Sequence, residues 1–129
     1  MENTLKFWAH NSCGHIEVLQ NLFKTIGERL DDEIKVELTK LFEEFNFIDT
    51  QLIDKEIPDN YKQLKLLYVQ TSKLFLEVLD ELNIEDYCEV YPVIFETVRH
   101  FIYAQLYSIQ LFHEHNNEHK VALYTMNVD

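Results

Sequence analysis

Apolar side chains recur at steps of three and four along most of this chain, the spacing of one stripe on an α-helix. Leu5, Trp8, Ser12, His15, Leu19, Leu22 and Ile26 predict a first helix over about 3–28. Asn3 or Thr4 is placed to cap its start, and Gly27 to end it in a left-handed turn. Ile34, Leu38, Leu41, Phe45, Ile48 and Leu52 give the clearest stripe and predict a second helix over about 32–54. Asp31 and Asp32 match its N-terminal dipole, and Pro58 disfavours helix at Ile57. A third helix is expected over about 60–82. Leu64, Leu67, Thr71, Leu74 and Val78 mark its inner side, with Tyr68, Phe75 and Leu79 beside them. A fourth is expected from near Asp86, or from Glu89 or Val90 if Pro92 must lie in its first turn, to about His115. Ile94, Val98, Phe101, Ile102, Gln105, Ile109 and Phe112 face inward on it. Residues 116–129 read as a C-terminal tail.

The connections are short, and short connections make sequential helices antiparallel neighbours. The expected fold is therefore all-α, an up-down-up-down four-helix bundle formed by residues 1–115 as one domain. Composition agrees: glycine and proline occur only twice each, too seldom for a turn-rich β fold.

The net charge of −12 disfavours nucleic acid and anionic membrane surfaces, which are bound through clustered Lys and Arg. It suits a solvated acidic surface or a cationic partner. Cys13 and Cys88 fall on different expected helices with no CxxC spacing, which argues against a zinc site built on paired cysteines. The start MENTLKFWAH has neither the basic nor the apolar region of a signal peptide, and no apolar run reaches membrane-spanning length. A cytoplasmic setting is expected.

Bundle cores are where carboxylate–histidine metal sites are built. The stripes place His15 and Thr71 inward near mid-height. Asp49 lies beside the second stripe, and Glu96 and His100 are four apart on one face of the fourth helix. His15, Asp49, Glu96 and His100 together form a candidate site for a transition-metal ion (iron, manganese or zinc). The plainer readings are a core histidine bonded to Thr71 or to a carbonyl, an exposed Glu96–His100 ion pair, and an Asp49 facing water. The Glu-x-x-His pairs of di-iron bundles are missing. Phe7, Trp8 and Tyr103 read as core or as a helix-end anchor, and His113, His115 and His119 as an incidental tail cluster. Neither GxGxxG nor GxxxxGK[ST] occurs, so nucleotide binding lacks its phosphate cradle. Cys13 and His10 lie three apart on one helix, which makes no oxyanion hole.

Phe7-Trp8 followed by His15 resembles the opening helix of an uncharacterised bacterial family, domain of unknown function 2935, whose pattern is FWxxxxxEH. Here that stretch reads FWAHNSCGH, with Gly14 in place of the glutamate. The family's fourth helix opens with a proline and carries a His and then a Glu four residues later. Pro92 is present, but Thr97 and Phe101 occupy those two positions. The resemblance implies a ferritin-like bundle, with His15 as the one carried-over metal ligand. It also implies a single copy of a unit that the family usually repeats twice, so a homodimer would replace the missing repeat. With most ligands lost and seventeen aromatic residues in 129, the expected role is non-catalytic: self-association or partner binding, with Tyr61, Tyr68, Tyr103 and Tyr107 as candidate interface residues. A metal-binding bundle is the alternative.

Overall fold

The computed structural model describes residues 2–52 and 57–126, with side chains described for 4–52 and 57–112. Among the described residues there are four α-helices: α1 (Glu2–Ile26), α2 (Asp32–Gln51), α3 (Tyr61–Glu81) and α4 (Pro92–Met126). No strand occurs among the described residues. α1 packs on α2, α2 on α3, α3 on α4, and α4 closes back on α1. The fold is the expected four-helix bundle.

The helix ends follow their local chemistry. α1 stops at Gly27, whose φ of 78° lies in the left-handed region that a Cβ disfavours. Asp31 caps α2 by accepting a hydrogen bond from the Glu33 N–H at 2.9 Å. The last residues expected of the second helix, 53 and 54, lie outside the described region. α4 starts later than expected, at Pro92. Proline is suited to the first helical position because the N–H it lacks has no intrahelical acceptor there. The segment before it forms a 3₁₀ turn, Ile84–Tyr87, entered through a left-handed Asn83. At its other end α4 continues past His115 to Met126, through most of the expected tail. The tail histidines' side chains lie outside the described residues.

The seam is apolar and aromatic. Phe45, Tyr68 and Phe75 are fully buried, and their rings meet at 5.5 Å (Phe45–Tyr68) and 6.0 Å (Phe45–Phe75). Tyr68 also meets Phe112 at 5.4 Å. Tyr68 is therefore a core residue and not the interface residue the sequence suggests. Leu74, expected inside, is half exposed.

A neutral polar network crosses this core. Ser12 Oγ lies 2.8 Å from the Trp8 carbonyl and 3.0 Å from Gln105 Oε1, both acceptors. Gln105 Nε2 donates to Ser72 Oγ at 3.0 Å. Tyr68 donates to Ser108 Oγ at 2.7 Å, and Ser108 donates to the Gln105 carbonyl at 2.9 Å. Because each member is satisfied, burying these groups is tolerated, and α1, α3 and α4 are tied to one another at a fixed height. Tyr68→Phe removes the phenol donor and strands an acceptor on Ser108. It is expected to lower stability by about 1–2 kcal/mol in urea unfolding, with an unchanged helical spectrum.

Candidate functional site

The α1–α4 seam carries the sequence's main candidate, His15. The residue is 91% buried, with a relative exposure of 9%. Its ring lies flat on Phe101, 4.2 Å between centroids and 18° between planes, with the His100 ring 6.0 Å away. Nε2 lies 3.3 Å from the Asn11 side-chain nitrogen one turn earlier, and Nδ1 has no hydrogen-bond partner. Burial, and then the neighbouring His100, push the His15 pKa down to about 4. The ring is thus neutral at physiological pH, because a proton would sit among apolar walls beside a second imidazole. Thr71, its expected partner, donates to Glu44 Oε2 at 2.9 Å instead.

Of the other candidate ligands His100 approaches His15, while Asp49 is held elsewhere. Asp49 sits between α1 and α2, where Lys6 Nζ reaches its Oδ1 at 2.6 Å and its carbonyl at 2.9 Å. His10 Nδ1 lies 3.0 Å from Oδ2. Burial raises the Asp49 pKa, but these two hydrogen bonds and the charges behind them outweigh it, and the carboxyl is held below its ordinary value. Glu96 and His100 are exposed on α4. Among the described residues no group of three or more His, Cys, Asp or Glu could hold a metal ion. Two further positions tell against a ferritin-like centre here. Gly14 stands where the resembling family has its glutamate, with open space where a side chain would begin. Phe101 stands where that family has a second carboxylate, and its ring covers the imidazole face. Two imidazoles without a carboxylate are a poor fit to iron or manganese, which favour oxygen donors.

Cysteine chemistry is also disfavoured. Cys13 is buried, its thiol lies 3.8 Å from the Phe42 carbonyl, and burial, then Asp49 and Glu17, raise its pKa to about 11. A thiol held protonated is a poor nucleophile, and His10 is turned to Asp49.

What the seam presents outward is aromatic. Phe7 and Tyr107 are each 58% exposed, and Tyr103 is 39% exposed. Trp8 bridges two of them, 5.2 Å edge-on to Phe7 and 5.6 Å from Tyr107. Arg99 lies over the Tyr103 ring at 5.6 Å and donates to its hydroxyl at 3.3 Å. Phe7 and Tyr103 are thus surface residues, not the core or buried anchor their spacing suggested. Tyr103 and Tyr107 are among the interface candidates that the sequence offers, and Phe7 is not. The signal was present in the sequence as Phe7, Asn11, Gly14 and Val18 in steps of four, three and four, matched on α4 by His100, Tyr103 and Tyr107.

Compared with family models, curated proteins and solved structures, the chain matches none. Among the described residues no helix is long and apolar enough to cross a membrane.

Proposed function

We propose that this chain is a non-catalytic helical bundle that works by association, and that its α1–α4 face pairs with a second copy of itself. One observation carries the reading: exposed Phe7 and Tyr107 join through half-buried Trp8 into one aromatic cluster, with exposed Tyr103 one turn before Tyr107 on α4. On a chain of net charge −12, two copies repel wherever carboxylates meet. Among the described side chains, helical spacing puts Asn11, Gly14, Val18, Arg99, His100 and Ala104 beside these aromatics, and Glu96 at one end has Arg99 three residues away. Self-repulsion is therefore weakest where the aromatic area is largest. Tyr, Trp, Phe and Arg are the residues that interface cores favour. The resemblance of the Phe7–His15 stretch to a family with two bundle repeats per chain supports the same arrangement, the second copy taking the second repeat's place.

Sedimentation equilibrium tests this. The wild-type chain is expected to dimerise reversibly. Phe7→Ser with Tyr107→Ser is expected to weaken the dimer by about tenfold or more while the helical spectrum is unchanged, since both side chains are exposed. A monomer at every concentration up to about 1 mM, where even an association of −4 kcal/mol begins to show, would refute the proposal. Stoichiometric iron, manganese or zinc that is lost in His15→Ala would instead favour the metal-binding bundle.

A further inference from the structure

The α2–α3 side lies across the bundle from the aromatic face. A groove of about 310 Å³ runs along it, lined by Leu41, Leu74 and Val78. Leu74 is half exposed in it, while Leu41 and Val78 are buried at its base. The groove's charged residues are Glu37 and Glu44 on α2 and Glu77 and Glu81 on α3, with Lys40 among them.

The spacing of these carboxylates decides what they can recognise. Glu37 and Glu44 are seven residues apart, about 10 Å along the helix axis, and Glu77 and Glu81 are about 6 Å apart. That is a ladder and not a cage. Among the described residues no trio of acidic, His or Cys groups could hold a metal ion. Charge spread along two rails beside an apolar floor complements a ligand whose own positive charge is spread along an apolar stripe. A helix with Leu-type residues at three- and four-residue steps and Lys or Arg flanking them has that form. We propose that the α2–α3 groove docks a basic amphipathic helix of a partner protein. Its apolar side chains would rest on Leu74, above the buried Leu41 and Val78, and its cations would reach the four glutamates. This goes beyond self-association through α1 and α4 and does not depend on it.

The test is a fluorescence-anisotropy titration of the full chain against a labelled Leu/Lys helical peptide of about 18 residues, five turns long, at roughly 0.15 M salt. Saturable one-to-one binding is expected. Glu77→Gln with Glu81→Gln should weaken it about fivefold. The exposed pair Glu17→Gln with Glu85→Gln removes equal charge elsewhere and should leave the Kd within about twofold. Leu74→Ser should weaken binding about threefold or more with unchanged circular dichroism. Equal losses from the two glutamine pairs would reduce the effect to net charge and overturn the proposal. So would an unaffected Leu74→Ser, or an all-Lys peptide that binds equally well. A self-associated state lost in Leu74→Ser but kept in the Phe7→Ser, Tyr107→Ser protein would assign the groove to a second copy and overturn it too.

Discussion

Phe45→Ala is expected to lower the unfolding free energy by about 3–5 kcal/mol, a large share of the 5–15 kcal/mol that holds a typical domain. Phe45 is fully buried. Its ring meets Tyr68 at 5.5 Å and Phe75 at 6.0 Å. Truncation removes the apolar area of a phenyl group and opens a void between two helices. Neither neighbour is free to fill it: Tyr68 is held through its hydroxyl by Ser108, and Phe75 is itself fully buried. Little relaxation means that a cavity term adds to the transfer term. Phe7→Ala is the contrast. It removes the same group from a residue that is 58% exposed, and in the monomer it should cost within about 0.5 kcal/mol. Urea unfolding of both variants with similar slopes checks the pair. A Phe45→Ala cost below about 1 kcal/mol would contradict this packing.

The faces of the helices were legible because burial selects apolar residues at a helical period. Ile34, Leu38, Leu41, Phe45, Ile48 and Leu52 form one stripe, and all but the half-buried Ile34 are buried. The edges of those faces were less legible. Leu74 shares a stripe with Leu67 and Val78 but lies on its outer margin, and a reading in steps of three and four covers an arc too wide to separate centre from rim. Register was not legible either. Lys6 against Asp49 and Cys13 against Phe42 set how α1 lies along α2, and the pattern of either helix alone is compatible with a shift of one turn. For that reason Asp49 was placed as a possible ligand when its partners are Lys6 and His10. Thr71 and His15 share a level, but Thr71 turns to Glu44 on its neighbour α2. The delayed start of α4 has a local cause. The 3₁₀ turn Ile84–Tyr87 carries Ile84 and Tyr87 against the core, so its spacing reads as part of a longer helix.

Between pH 6.5 and 4 the wild-type chain is expected to lose stability that a His15→Leu variant keeps. The sign follows from the two protonation states. In the unfolded chain His15 titrates near 6.5. In the fold, burial first and His100 second lower its pKa to about 4. Above pH 6.5 both states hold the neutral ring, and this residue adds no pH dependence. As the pH falls from 6.5 to 4 the unfolded chain gains a proton that the fold rejects, so the balance moves toward unfolding. The ceiling is about 3 kcal/mol, and because one edge of the ring reaches toward exposed His100, a loss of about 2 kcal/mol is expected. Below pH 4 this slope ends. Asp49 adds a separate loss, since its carboxyl is held below its ordinary value of 3.8 by Lys6 and His10. That contribution is present above the ordinary value and fades as the pH falls through the lowered one, so it persists in His15→Leu and sets in at more acid pH. Leucine also removes the unpartnered Nδ1 from beside Phe101, so the variant should match or exceed wild type at pH 7. Unfolding free energies measured at pH 7, 5.5 and 4.5 should therefore diverge, with wild type falling faster. Parallel curves would mean that His15 takes up its proton as readily in the fold as out of it, which neither its burial nor its stacking on Phe101 permits.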